Sequence, residues 1–308
     1  MRAALLLSLL LLAGCGGPER RHPLLNPALG KLQRMPLPPT KLKVMDLVER
    51  RLAAGDADHI SVMFQCLNTG YWFGISEHEN FVPASLLKAY VMIMVLKEAE
   101  SDPGLLRRKL EYKDYEAIFG RGLMPEQQVR PVSRLAIGQK YTYEQLLRQM
   151  ISQSDNNAAY NLQLSFPQEK FERVLFDFGI RMPESGDTYI SLKNYLMMLL
   201  SLYDASYLSI EMSQRALKLL TESAFTRGLA AGLPKGVPIA NKFGEREYAK
   251  DGVTSIQLHD CAIVYHPKAP YLLGVITRGH DIARQTAVIR DISALVWNEV
   301  DAGIRNAP

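Results

Sequence analysis

Residues 85–98 read SLLKAYVMIMVLKE, a very apolar run that opens on a serine and carries a lysine three residues later. Being apolar on every side, it predicts a fully buried helix. On a helix, Ser85 and Lys88 share one face, close enough for the amine to reach the hydroxyl. A serine is a poor nucleophile until a base takes its proton, and a desolvated lysine can be that base. Free backbone amides at the helix N-terminus could hold the oxyanion that forms.

The patterns on either side of this helix predict the fold class. Helical spacing covers residues 43–54, 282–300 and almost all of 99–235, and strand patterns cover 60–67, 71–75, 237–242, 256–265 and 271–277. Strands at the two ends of the chain must pair to satisfy their backbone groups. We therefore expect an α/β (α+β) fold, in which an antiparallel sheet of about five strands is flanked by the terminal helices and joined by a large all-helical insertion. An active site would lie in the seam between sheet and insertion.

The composition is that of an ordinary globular protein. The chain has 308 residues, 47% of them apolar and 22% charged, with a net charge of +4. These values exclude disordered, collagen-like and disulfide-scaffold classes, and the length buries roughly three quarters of the surface of the unfolded chain. Because the Lys and Arg residues form no cluster, no nucleic-acid partner is expected. We also expect a monomer.

The N-terminus predicts export. An apolar run at residues 3–13 is too short to span a bilayer, where about twenty residues are needed, and it is typical of a signal peptide. It ends in Leu12-Ala13-Gly14-Cys15, which resembles the lipobox of bacterial lipoproteins. The resemblance implies that Cys15 is lipidated and anchors the protein to a membrane, facing the periplasm or the cell exterior. The alternative is a plain secretory signal in which Cys15 has no role.

Four segments follow from this interpretation. Residues 1–14 are the lipoprotein signal peptide, 15–40 a proline-rich tether, 41–300 the folded domain and 301–308 a C-terminal tail. Cys66 and Cys261 both lie in predicted strands. An exported protein permits a disulfide between them, but two buried free thiols are the simpler interpretation.

Two further motifs follow the serine and lysine. Ser154-Asp155-Asn156 comes 69 residues after Ser85, and Lys242-Phe243-Gly244 comes 88 residues after Ser154. Each of the three motifs has an ordinary structural explanation, such as helix capping or a strand end. In this order and context, however, they resemble the class A β-lactamase-like branch of the penicillin-recognising serine enzymes, over residues 41–300. The resemblance implies the β-lactamase/transpeptidase-like fold and a serine hydrolase domain.

The resemblance also implies a role for each motif residue. Ser85 would be the acylated nucleophile, Lys88 its proton partner, and Ser154 the donor of a proton to the leaving nitrogen. The substrate-binding residues would be Asn156, Lys242, Gly244 and Glu245. Among them, Asn156 would hold the side-chain amide of the substrate and Lys242 its carboxylate, while the amides of Ser85 and Glu245 would form the oxyanion hole. The substrate would be a β-lactam or a D-Ala-D-Ala peptide.

Two departures from the family pattern bear on turnover. Phe243 stands where the family has Thr or Ser, whose hydroxyl normally binds the substrate carboxylate. No Glu-x-x-Leu-Asn loop, the source of the deacylating base in class A enzymes, lies between Asn156 and Thr188. Glu184 is the local acid that could substitute, although a solvated loop glutamate is the simpler interpretation.

We therefore expect acylation by β-lactams followed by slow deacylation. The missing glutamate loop favours a second possibility, a D-Ala-D-Ala peptidase, whereas the class A layout disfavours it. The substitution at Phe243 favours a third, a catalytically silent peptidoglycan-binding lipoprotein.

Other candidate sites are weaker. His259 and Cys261 could suggest thiol catalysis, but they share one face of a strand that we expect in the core. The six histidines show no pair at metal-ligand spacing, so neither a metal nor a cofactor is expected.

Overall fold

The computed structural model describes residues 24–25, 40–119, 135–183, 187–250 and 253–305. Within these residues it confirms the predicted class: a five-stranded antiparallel sheet lies between the terminal helices and a helical insertion. Glu184 and Cys15 lie outside the described residues, so the predictions made for them remain predictions.

The sheet combines strands from both ends of the sequence. Its members, in spatial order, are β2 (Trp72–Ile75), β1 (His59–Cys66), β9 (Tyr271–Gly279), β8 (Val253–Val264) and β7 (Ile239–Lys250). Strand β7 is longer than predicted, because its charged second half continues to pair with β8 as far as Lys250 and Val253. Lys242, predicted at the end of a strand, therefore lies in its interior, opposite Cys261.

The terminal helices cover one face of the sheet. Helix α1 (Thr40–Ala53) and helix α9 (Ile282–Arg305) pack together and against the strands. Val44 of α1 and Ile292 of α9 share a core cluster with sheet residues that point towards them, among which are Phe64, Phe243 and Leu258. Helix α9 runs five residues past its predicted end at residue 300.

The insertion covers the other face. Its helices are α2 (Leu87–Ser101), α3 (Glu116–Phe119), α4 (Tyr143–Ser152), α5 (Asn156–Gln163), α6 (Gln168–Asp177), α7 (Leu192–Tyr203) and α8 (Ile210–Thr221). The prediction of an all-helical insertion was wrong in detail, since the segment also contains strands. These are β4 (Lys109–Glu111) paired with β5 (Lys140–Thr142), and β6 (Ile190–Ser191) paired with β3 (Asn80–Phe81), which precedes the insertion. Strands of two or three residues are too short to show a period in sequence.

Helix α2 is the centre of the insertion, as its sequence predicts. Ten of its side chains are buried, from Lys88 to Ala99. A short 3₁₀ turn, Ala84–Leu86, precedes it and carries Ser85. The serine therefore stands just outside the α-helix, while Lys88 lies in its first turn.

A piece of the predicted tether contacts the folded domain. Leu25 is only 2% exposed and belongs to the core cluster of the insertion. The hydroxyl of Tyr265, just beyond β8, donates a hydrogen bond of 3.2 Å to the carbonyl oxygen of Leu24. The chain is thus held against the domain at this point, well before α1 begins.

The remaining sequence predictions concern cysteines and membrane spans. Cys66 and Cys261 are both buried free thiols, as the simpler interpretation predicted. They belong to the two different core clusters, on opposite faces of the sheet. Within the described ranges, we find no helix with the length and apolar character that a membrane crossing requires.

Candidate active site

The site is built around Ser85 on its 3₁₀ turn. The preceding residue, Ala84, has a φ of +48°, in the left-handed region that non-glycine residues rarely adopt. This backbone turn presents Ser85 at the start of α2, where its Oγ accepts a 2.6 Å hydrogen bond from Lys88 Nζ. The structure thus brings together the first predicted pair.

The ammonium of Lys88 is buried and surrounded by oxygen atoms. Its side chain is 6% exposed, and Nζ also donates to Ser154 O at 2.9 Å, Ser154 Oγ at 3.2 Å and Asn156 Oδ1 at 2.7 Å. A buried amine requires such partners, since desolvation without them is costly. The first and second motifs therefore meet at this nitrogen.

The second motif occupies the bend between α4 and α5. Ser154 has a φ of +56°, which turns both its carbonyl and its hydroxyl towards Lys88. Asp155 caps α5: its carboxylate accepts 2.8 Å hydrogen bonds from the Ala158 amide and from the Tyr112 hydroxyl. The motif thus caps α5 through Asp155, while Ser154 and Asn156 both contact the Lys88 ammonium.

Lys242 reaches the same hydroxyl from the opposite side. Its side chain is fully buried, and Nζ donates to Ser154 Oγ at 3.0 Å and to Phe243 O at 2.7 Å. Ser154 Oγ therefore lies between two ammonium groups. The three motifs, separated by more than 150 residues, form one hydrogen-bonded chain from Ser85 through Lys88 and Ser154 to Lys242.

Phe243 is the middle residue of the third motif. Its ring is fully buried and stacks on Phe225 with centroids 4.5 Å apart. The ammonium of Lys242 lies 4.2 Å from the centroid of the Phe243 ring. The aromatic face thus stabilises the charge through a cation–π contact and offers no hydrogen bond to a ligand.

Gly244 lets β7 approach the nucleophile. A Cβ atom at this position would lie 3.0 Å from Pro83 O and 3.2 Å from the amide nitrogen of Ser85. A side chain here would crowd the 3₁₀ turn, which explains the glycine. Glu245 follows on the same strand, so the two predicted oxyanion-hole residues belong to neighbouring segments.

Two acidic residues near the site were missed from sequence. Asn156 Nδ2 donates a 2.7 Å hydrogen bond to Glu116 Oε1, so the amide predicted to bind substrate already has a carboxylate partner. Asp187 lies just after Glu184 in the chain and forms a 2.8 Å ion pair with Arg246 of β7. No spacing signal connects either acid with its partner, since each contact joins segments that are distant in sequence.

Two adjacent residues of β8 are fully buried and titratable. His259 Nε2 lies 3.0 Å from Val82 O, and burial lowers the pKa of His259 to about 4. Asp260 accepts hydrogen bonds from Asn241 Nδ2 at 3.0 Å and from the Leu229 amide at 2.9 Å, while burial raises its pKa to about 7.

Their neighbour Cys261 does not have the properties of a nucleophile. Burial raises the pKa of its thiol well above the usual range, which disfavours the reactive thiolate. The core interpretation of His259 and Cys261 is thus supported over thiol catalysis. Across the described residues there is also no group of three or more side chains suited to hold a metal ion.

Comparisons with known proteins agree with this geometry. The model of the β-lactamase enzyme family matches residues 43–300. No curated protein matches the chain in sequence.

Solved structures share the fold at low identity. PBP-A is 18% identical with a TM-score of 0.69, covering 88% of this chain and 99% of its own. A mutant of PBP-A, solved as its acyl-enzyme complex with penicillin G, is 19% identical with the same TM-score, and 89% and 100% of the chains are covered. A class A β-lactamase from Mycobacterium abscessus is 19% identical with a TM-score of 0.70, covering 84% and 99%. With a family model matched from residue 43 to residue 300, this chain belongs to the β-lactamase enzyme family.

Proposed function

We propose that this protein is a serine hydrolase that β-lactams acylate at Ser85 and that deacylates slowly. The observation that carries the proposal is the chain of hydrogen bonds from Ser85 through Lys88 and Ser154 to Lys242. It connects a nucleophile to a base and then to a proton donor, which are the groups that acyl transfer requires.

Acylation follows from this arrangement. With Lys88 in its neutral form, the amine takes the proton of Ser85 as Oγ attacks the β-lactam carbonyl carbon, and the oxyanion is held by the amides of Ser85 and Glu245. As the ring C–N bond breaks, the nitrogen receives the proton of the Ser154 hydroxyl, which Lys88 then replaces. The product is an ester on Ser85 whose acyl group still carries the former ring nitrogen, now an amine. Lys242 holds the Ser154 hydroxyl in place and attracts the substrate carboxylate.

Deacylation is the weak step of this scheme. The ester survives until a positioned base activates a water molecule, and the Glu-x-x-Leu-Asn motif that supplies this base in class A enzymes is missing from the sequence. Glu184 remains the candidate substitute, and the neighbouring Asp187 is bound to Arg246. We therefore expect a long-lived acyl-enzyme. Rapid hydrolysis of a chromogenic cephalosporin that the Glu184→Ala variant retained in full would contradict this account.

A D-Ala-D-Ala peptidase is the second candidate. It is favoured by the missing glutamate loop, which leaves no evident base for rapid hydrolysis of a β-lactam ester. Peptidase activity would use the same residues, with a D-Ala leaving group in place of the β-lactam nitrogen. Release of D-alanine from a peptide ending in D-Ala-D-Ala would assign this activity.

The test is the intact mass of the full-length chain, purified in detergent and incubated with penicillin G. We expect an increase by the mass of penicillin that persists for minutes and is missing from the Ser85→Ala variant. Rapid conversion of penicillin without an adduct would make the protein an efficient β-lactamase instead. If the protein forms no adduct and does not convert penicillin, the remaining candidate is the catalytically silent peptidoglycan-binding lipoprotein. Phe243 would then explain the lost activity.

We also propose that Cys15 carries a lipid that anchors the protein to a membrane, facing the periplasm or the cell exterior. The lipobox-like sequence before Cys15 supports this. Fractionation of cells should find the protein with membranes, and Cys15→Ala should release it from that fraction. An unchanged distribution of the variant would refute the anchor.

A further inference from the structure

His259 contacts the segment that carries the nucleophile, although it lies far away in sequence. It faces Gly244 across the β7–β8 pairing, so both residues project from the sheet face on which Lys242 also lies. The imidazole is fully buried, and its Nε2 lies 3.0 Å from the carbonyl oxygen of Val82. The ring of Phe81 meets it edge-on, with centroids 5.9 Å apart.

The hydrogen bond identifies the tautomer of His259. Burial keeps the imidazole neutral near pH 7, because the pKa of His259 is lowered to about 4. A neutral imidazole carries one N–H, and a carbonyl oxygen can only accept. The proton is therefore on Nε2, which donates to Val82 O.

The segment from Val82 to Ser85 needs such a restraint. Proline at 83 has no amide hydrogen, and Ala84 adopts a left-handed φ of +48° without being a glycine. Such a conformation persists only where the surrounding structure imposes it. Gly244 allows the strand to press against Pro83 O, and His259 donates to the carbonyl of the residue before it. His259 thus contacts this segment at Val82 O, and Gly244, which it faces, leaves room for the next residue, Pro83.

We propose that His259 is a positioning residue that holds Ser85 in its reactive place through the carbonyl of Val82. The inference rests on the proposed acylation of Ser85. His259 itself contacts no reacting atom. Its effect comes from keeping the Ser85 hydroxyl within reach of Lys88 and its amide aimed at the oxyanion. Displacements of about 1 Å in such geometry lower rates by up to about 100-fold.

The experiment compares two substitutions of His259 in the full-length protein. His259→Leu removes the donor but keeps an apolar side chain, whereas His259→Gln has an amide that can donate to Val82 O. The rate constant of acylation by a fluorescent penicillin and the thermal midpoint are measured for each. We expect acylation to fall roughly 10- to 100-fold in His259→Leu and to stay within about threefold of the wild type in His259→Gln.

A matched control separates positioning from packing. Cys261 is two residues along β8, projects from the same face and is equally buried. Cys261→Ala should lower the thermal midpoint without slowing acylation. Acylation of folded His259→Leu at the wild-type rate, or equal losses in the Leu and Gln variants, would overturn the proposal.

A measurement without any β-lactam keeps the two hypotheses distinct. NMR of protein with ¹⁵N-labelled histidine reports which ring nitrogen carries the proton. We expect His259 as the Nε2–H tautomer, and a proton on Nδ1 would overturn its positioning role whether or not penicillin acylates the enzyme. If penicillin does not acylate the wild-type protein, by contrast, that result refutes the proposed function and leaves the tautomer of His259 unaffected.

Discussion

The two faces of the β7–β8 hairpin differ in what their polar groups do. Lys242, Gly244 and His259 face the insertion, where each lies against a segment that carries the Ser85 or the Ser154 motif. Asn241, Phe243 and Asp260 face the other way and join β7 to residues 225–229 beside the second core. Side chains alternate along a strand, so consecutive residues of β7 face opposite sides. One set faces the insertion, and the other faces the second core. Phe243 links the two, since its ring touches the ammonium of Lys242.

The largest expected effect is at Lys88 of α2, which is connected to Lys242 of the hairpin through the Ser154 hydroxyl. Lys88→Ala removes the base and the donor to Ser154, so acylation by penicillin should fall about 10³-fold, within the range known for general acid–base groups. The measurement is the acylation rate constant with a fluorescent penicillin. Lys97, an exposed lysine on the same helix, provides the matched control: Lys97→Ala should acylate like the wild type. A Lys88→Ala protein that acylates normally would remove Lys88 from the mechanism.

The next effect tests the link at Phe243. Phe243→Thr restores the hydroxyl of the family motif but removes a buried ring stacked on Phe225, so the free energy of unfolding should fall by about 3 kcal/mol. At the same time the Lys242 ammonium loses its cation–π partner and becomes more available to a substrate carboxylate, so the concentration of penicillin needed for half-maximal acylation should fall. Chemical denaturation and acylation kinetics measure the two effects separately. Unchanged stability would show that the ring is not part of the core.

Features that depend on residues close together in sequence could be predicted, whereas contacts between distant residues could not. The Ser85–Lys88 spacing and the terminal strands are local patterns, and the structure agrees with both. The hydrogen bonds from Asn156 to Glu116 and from Asn241 to Asp260 join side chains far apart in sequence, so no period or spacing predicts them. The short β3–β6 pair was not predicted for the same reason, because only tertiary contacts stabilise strands of two residues.

The two faces should also respond oppositely to pH. The pKa of Asp260 is raised to about 7 by burial, so its contribution to stability is fully present below pH 4 and is lost as the pH rises towards 7. The pKa of His259 is lowered to about 4, so its contribution is present above pH 6.5 and is lost as the pH falls towards 4. In the wild type these opposing trends largely cancel.

Removing either group should reveal the other. Between pH 4 and pH 7, the stability of Asp260→Asn should rise with pH and that of His259→Gln should fall with pH. Each change should be on the order of 3 kcal/mol, because the pKa of His259 is lowered from 6.5 to about 4, that of Asp260 is raised from 3.8 to about 7, and one pKa unit corresponds to about 1.4 kcal/mol. Urea denaturation at several pH values measures both. Two variants with the same slope would show that burial does not control these groups.

The smallest expected effect is at Arg246, which shows that lying on the face of β7 that meets the insertion is not by itself enough to affect acylation. Arg246 follows Lys242 and Gly244 on the same face of β7, but its ion pair with Asp187 is between side chains 40% and 32% exposed. Solvent screens such a pair, so Arg246→Gln should cost less than about 1 kcal/mol of stability. Because Arg246 contacts the loop and not the 3₁₀ turn of Ser85, acylation should remain within about twofold of the wild type. A loss as large as that expected for His259→Leu would mean that the whole face of β7, and not its contact with residues 82–85, positions the nucleophile.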